Sequence, residues 1–296
     1  MQITVAPSTG LISKKPPQIL TLRDTLSHSG GSAAGFHAVS EFLSCQEYVR
    51  LKTIGIQPKF TDHEYWVNEP LNALDFGTVV HELLAHRINY GNEATLGAIV
   101  SMGLFPTDEL KMFEIIRTYD DSHPLASDPW EYLGTEVELF SDIGPALQLP
   151  TTIRTVRYDA IIQSKATQRI YSFEHKTASR GGEQAMAVYL PQYLTQVALW
   201  NANPSMVATY GEMAGVWIDS VVKTNVPRCE RYGPKVFGRL AQFRALEYMS
   251  LPDRIVYPKM SDGADPRQMH TCMGKYKPCK YLSLCYEDAQ NDYTKV

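Results

Sequence analysis

No stretch of this sequence approaches the roughly 18 consecutive apolar residues of a membrane-spanning helix. The N-terminus also lacks the charged, apolar, small-residue order of a secretory signal. The expectation is a soluble, intracellular (cytoplasmic) protein with no membrane partner. A surplus of either charge sign is missing too: 28 Lys and Arg face 32 Asp and Glu, a net charge of −4. That excludes a broadly basic, DNA-coating surface, so nucleic acid would have to lie in a local positive channel. Cysteine is scarce and odd in number, five in 296 residues. A chain this long buries a core without disulfide staples, and cysteines in a reducing compartment bind metal or stay free. Close C-x-x-C pairs are absent, which counts against a zinc ribbon. Internal repeats and low-complexity segments are absent as well.

What is present is ordinary globular material, 44% hydrophobic and 20% charged. Residues 1–35 mix Pro, Ser, Gly and Lys and read as an extended arm. From Phe36 the pattern turns helical, with Cys45 on that element. Phe76, Val79, Val80, Leu83, Leu84 and Ile88 then form the clearest helical stripe, with His81 at its margin and Asp75 as the expected N-cap. Further helix follows over 94–120, with Pro106-Thr107-Asp108 as a start signal. Strand patterns come next at Thr135–Phe140, Ile153–Ile162 and Arg169–Thr177. After Gly181-Gly182 a helix runs from about Pro191 to Asn201, and Met213–Val222 is a strand. A basic loop and helix carrying Arg228, Arg231, Lys235, Arg239 and Arg244 leads to a cysteine-rich tail. The order α-β-β-β-α-β with flanking helices predicts a mixed sheet covered by helices on both faces.

The chemistry-bearing stretch is Glu174-His175-Lys176 at the end of a strand. Alternation places Ser172, Glu174 and Lys176 on one face, and Tyr171, Phe173 and His175 on the other. One hairpin earlier, Asp159 is a lone acid in an apolar run. Two carboxylates from adjacent strands suit Mg²⁺ or Mn²⁺, which take oxygen ligands. A lysine beside them suits charge developing on a phosphate. The same residues also fit an edge-strand salt bridge on a solvated face. His81 also fits a hydrogen-bonded core histidine, and Gln192 and Gln196 an ordinary polar helix face.

Taken in order, Gly77-x-x-x-His81, Tyr158-Asp159-Ala160, Phe173-Glu174-His175-Lys176-Thr177 and Tyr193-x-x-Gln196-x-x-x-Trp200 resemble the RecB-like branch of the PD-(D/E)XK nuclease superfamily. Trp200 stands where that branch has tyrosine. The resemblance implies a mixed α/β, restriction-endonuclease-like fold with a central mixed sheet flanked by helices. It implies that His81, Asp159, Glu174 and the His175 backbone carbonyl bind metal, with Lys176 catalytic and Gln196 beside it. The implied layout is an arm over 1–35, a nuclease domain over 36–260 with a helical insert about 90–130, and a cysteine-rich tail over 261–296. Glu136 and Glu138, on the preceding strand, are expected on a solvated face.

Four thiolates, Cys45, Cys272, Cys279 and Cys285, can hold either Zn²⁺ or an iron–sulfur cluster. One N-terminal and three C-terminal cysteines around such a core resemble the iron–sulfur members of the branch. These include the AddB nuclease domain and CRISPR-associated and phage-encoded exonucleases, and they imply a 4Fe-4S cluster. Cys229 fits no pattern. Arg228, Arg231, Lys235 and Arg239, with Tyr193, are the expected nucleic-acid contacts, phosphates meeting the bases and a ring plane meeting a nucleobase. The function expected is a Mg²⁺- or Mn²⁺-dependent exonuclease acting on single-stranded or duplex DNA ends. The alternative is a catalytically silent scaffold subunit that binds nucleic acid and keeps an iron–sulfur or zinc site.

Overall fold

The computed structural model describes residues 10–13, 18–22, 25, 37–38, 56–58, 70–178, 181–182, 189–254 and 293–295. Cys45, Cys272, Cys279 and Cys285 lie outside the described residues, as do most of the arm and the tail. Strands β1 (Gly10–Ser13), β2 (His37–Ala38) and β3 (Ile56–Pro58) precede helices α1 (Ala73–Tyr90), α2 (Asn92–Ser101) and α3 (Pro106–Ser122). Next come β4 (Trp130–Asp142), β5 (Ile153–Ser164) and β6 (Ile170–Ala178), then α4 (Leu190–Asn201) and α5 (Pro204–Tyr210). The order closes with β7 (Met213–Val222), β8 (Arg228–Lys235), α6 (Arg239–Arg254) and β9 (Tyr293–Lys295).

Local chemistry explains where the helices begin. The Asn72 side chain accepts the amide of Asp75, so the cap of α1 is Asn72, three residues earlier than the expected Asp75, which belongs to the first turn. Pro106 opens α3, where a missing N–H costs nothing. Asn203 caps α5 by accepting from the amides of Ser205 and Met206. The apolar stripe of α1 is buried from Phe76 to Leu84 and packs with α2 and α3 around Ile99, Met112 and Ile116.

The main sheet has seven strands in the order β1-β4-β5-β6-β7-β8, with β2 parallel beside β5. Along the six-strand path pairing is antiparallel except where β6 meets β7, and that parallel step requires a crossover, made by α4 and α5. Side chains 216 and 218 of β7 join α4 and α6 in one core, whereas Trp217 and Val221 face the α1–α3 side. The protein is a mixed α/β molecule with a helix-covered mixed sheet, as in restriction-endonuclease-like cores. Residues 228–235, expected as a basic loop leading into helix, are instead strand β8 along β7, and the helix starts at Arg239. No described helix is long and apolar enough to cross a membrane.

Candidate metal and catalytic site

The site lies where β5 and β6 part. Their antiparallel ladder runs from Gln163↔Ile170 to Ala160↔Phe173 and stops there. Beyond it β6 stays with β7 through Ala178, while β5 takes β2 as its neighbour at Arg154 and Thr155. Asp159 and Glu174 are the first two residues past the split. Opposite Asp159, β4 carries Glu136 in the left-handed region, with φ of 49°. The face alternation of β5 slips at this point: Val156, Tyr158 and Ile161 all enter the α4-side core, while Ala160 packs on the other side. A strictly alternating strand would not aim Asp159 into the gap.

Within the fork, Asp159 Oδ2 accepts the His175 amide at 2.7 Å, replacing the ladder bond that β5 no longer supplies. A strand residue sends its N–H and C=O from the same edge, so the His175 carbonyl also faces the fork. His81 Nδ1 approaches the same Oδ2 at 3.4 Å from α1. One turn earlier, Gly77 lets α1 close on β6: a Cβ there would stand 3.0 Å from the Thr177 hydroxyl. From the α4 side, Gln196 Nε2 donates to Glu174 Oε1 at 2.7 Å, and Lys176 Nζ donates to Oε2 at 3.2 Å. Ser172 adds a longer hydrogen bond to Oε1 at 3.3 Å. Lys176 Nζ also lies 5.3 Å and 5.9 Å from the ring centres of Tyr189 and Tyr193. The six residues His81, Asp159, Glu174, His175, Lys176 and Gln196 are therefore neighbours, drawn from one strand pair and two helices on opposite faces.

Burial and charge set the protonation of the group. Burial favours a neutral Asp159, but the His81 ring, with Lys176 and His175, outweighs it and holds the carboxyl far below the usual range. Glu174 goes the other way: burial, then the Asp159 charge, pushes it up to about 7. Burial works against the Lys176 ammonium, yet Glu174 and Asp159 more than offset it and keep the lysine charged. Burial likewise opposes the His81 cation, and Asp159 reverses the balance, raising its pKa. His175 is brought down to about 4, mainly by burial. Exposure is graded, with Glu174 1% accessible, Lys176 13%, Asp159 15% and His81 26%, so the opening is on the side of the last three.

The donors fit a divalent cation: two carboxylates, a carbonyl and an imidazole, with the acids crowded enough to push one of them up to about 7. The Gln196 Oε1, buried without a hydrogen-bond partner, is a further orphan acceptor beside Glu174. Among the described residues no group of three or more His, Cys, Asp or Glu side chains is placed, as it stands, to hold a metal ion. Asp159 is engaged by His175 and His81, and Glu174 by Lys176 and Gln196.

Other expectations need correction. Tyr193 is fully buried, so its ring is not offered to a nucleobase. Arg231 is not a surface base: it clamps Asp219 through two 2.7 Å bonds and Asp128 through one of 3.2 Å. Arg228 and Arg239 point outward and pair with Glu230 and Glu212, and Lys235 lies on β8 opposite Val216. Trp200 is buried, its indole N–H donating to the Gly211 carbonyl at 3.0 Å, a link that ties α4 to the turn before β7. Glu136 and Glu138 are not solvated. Both are buried; Glu136 pairs with Arg157, and Thr155 donates to Glu138. Burial, opposed by Arg157, pushes Glu136 up to about 7. Sequence reasoning passed over Arg157, Tyr119 and Asp219. Asp219 carried the same signal as Asp159, a lone acid in an apolar strand.

No protein-family model and no curated protein matches this chain. Solved structures do. SSO0001 aligns over 90% of this chain and 94% of its own at 13% identity, with a TM-score of 0.42. A protein from Eubacterium rectale named "Putative exonuclease" aligns over 90% of each chain at 11% identity, with a TM-score of 0.45. At these scores the likeness carries no argument about the site, which rests on its own geometry.

Proposed function

We propose that this protein is a divalent-metal-dependent nuclease that hydrolyses phosphodiester bonds at the ends of DNA strands. The observation that carries this reading is the fork itself. An anionic Asp159 and a buried Glu174 face one gap, with a charged lysine held by one of the two acids. One acid holds Lys176 and the other is met by His81 and the His175 amide, and a divalent cation between them would relieve the crowding of charge that pushes Glu174 up. Asp159, Glu174, the His175 carbonyl and His81 would hold Mg²⁺ or Mn²⁺. What such an ion supplies when bound is Lewis acidity, an acidified water and a neutralised phosphoryl oxygen.

The chain's own groups do the rest. Lys176 presents a permanent cation at the mouth of the gap, where charge builds on the phosphate during attack. Gln196 fixes one oxygen of Glu174 and so leaves the other to exchange between Lys176 and the ion. Tyr189 and Tyr193 limit the lysine's travel. The four cysteines outside the described residues, Cys45, Cys272, Cys279 and Cys285, would hold a 4Fe-4S cluster.

The test is cleavage of end-labelled single- and double-stranded DNA with Mn²⁺ or Mg²⁺. Cutting should require the metal, vanish with chelator, and start from labelled ends. Lys176→Ala should slow it about 100-fold or more, the scale of losing one transition-state donor. Wild-type rates in that variant would sink the mechanism.

A further inference from the structure

The His175 amide bonds Asp159, and its imidazole is aimed at the same carboxylate. Tyr119 gives its one hydroxyl proton to Asp219, whose carboxylate Arg231 clamps from β8. The Tyr119 oxygen therefore meets His175 Nε2, 3.3 Å away, as an acceptor, and Nε2 carries the ring proton. That leaves Nδ1 as a lone pair, 3.9 Å from Asp159 Oδ2. A lone pair opposite a carboxylate oxygen is repulsive for both unless a cation comes between. His81 Nδ1 stands 3.4 Å from that oxygen, and the two rings are 6.2 Å apart, centre to centre. Ligand atoms about 2.1 Å from a metal stand about 3.0–3.5 Å from one another. His81 and Asp159 are at that spacing already, and His175 is a few tenths of an ångström beyond it. The support behind His175 is of the kind that holds metal-bound imidazoles, with the other ring nitrogen given to a fixed acceptor.

We propose that His175 binds the divalent ion through its side-chain Nδ1, forming with His81 and Asp159 a two-imidazole, one-carboxylate face. This rests on the metal-dependent reading above and sharpens it: such a face prefers a first-row transition ion to Mg²⁺, which takes oxygen ligands. Tyr119, Asp219 and Arg231 are then positioning residues for the metal, although none of them touches it.

The test uses the full chain with Mn²⁺ alone, without DNA. Pulsed electron paramagnetic resonance should show couplings from two imidazole nitrogens in the wild type and from one in His175→Gln, whose amide can still reach Tyr119. Mn²⁺ affinity should fall about tenfold or more in His175→Gln and in Tyr119→Phe, the usual scale for lost metal support, while Mg²⁺ affinity stays nearly constant. Tyr119→Phe keeps the buried ring and serves if the glutamine variant fails to fold. A single nitrogen coupling in the wild type, unchanged in His175→Gln, overturns this assignment and leaves metal-dependent cleavage standing. Bound Mn²⁺ with no affinity loss in Tyr119→Phe removes the positioning role, and absence of Mn²⁺ binding removes both readings.

Discussion

Arg231 carries a positive charge into a nearly closed space between the indole of Trp130, 4.5 Å from its guanidinium, and the ring of Phe173, 5.2 Å away. A charge in such a place is costly unless matched, and here two buried carboxylates, Asp219 and Asp128, match it with a planar fork of donors. Lysine keeps the charge but cannot bridge both acids. Arg231→Lys should therefore lower unfolding stability by about 2–3 kcal/mol, read as a shift in urea midpoint at constant slope. Arg239→Ala, at an exposed pair, should stay within about 0.5 kcal/mol. If Arg231→Lys weakened DNA binding with no loss of stability, the residue would be a substrate contact after all. The sequence could not separate these two arginines, because the acids that bury Arg231 lie 12 and 103 residues away. Glu174, Lys176 and Asp159 were legible because strand alternation and one lone acid are local signals.

At the scale of elements, α1 decides how the α-side of the fork is closed, and it is anchored at its far end by His86. That ring is fully buried, with Nε2 donating to the Gln18 carbonyl at 3.0 Å and Nδ1 2.9 Å from the Thr95 hydroxyl on α2. Burial lowers its pKa below the ordinary 6.5, against the pull of the Gln18 carbonyl. The unfolded chain therefore binds the proton first. The stabilisation is complete above about pH 6.5 and is lost as pH falls toward the depressed value. Chemical unfolding at pH 7.5 and at pH 5.5 should show His86→Gln less stable than wild type at the higher pH, with the gap narrowing at the lower. Parallel pH profiles would show that the ring does not titrate on unfolding. The stripe of α1 was readable from its 3.6-residue period, as was β7 from its β-type composition. The slip in β5 was not. It lies opposite the left-handed Glu136 on a neighbouring strand, and nothing within β5 itself announces it.

Across the whole molecule, the notable pairing joins segments far apart in sequence: β3 lies antiparallel to β9, with Ile56 opposite Lys295. In sequence, Cys45 precedes Ile56 by 11 residues and Cys285 precedes Tyr293 by 8. A cluster bridging Cys45 to Cys272 would close a loop of 227 residues. Such a closure is worth about 5 kcal/mol on the loop-entropy scale known for disulfides. The side chains of the candidate site all come from residues 81–196, on the main sheet and the helices that cover it, and none comes from the separate β3–β9 sheet. Loss of the cluster should thus act on stability first and on the geometry of the fork second. Protein purified without oxygen should be brown and hold about four iron atoms per chain. Cys285→Ser and Cys279→Ser should each bleach it and lower the melting temperature, whereas Lys176→Ala should keep both colour and stability. Cys229→Ser is the control: that thiol lies on β8 opposite Val221, packed against the α1–α3 core, and burial pushes it up to about 12. A colourless wild type containing zinc would reassign the four thiolates to zinc, and one containing neither metal would remove the cluster from the account.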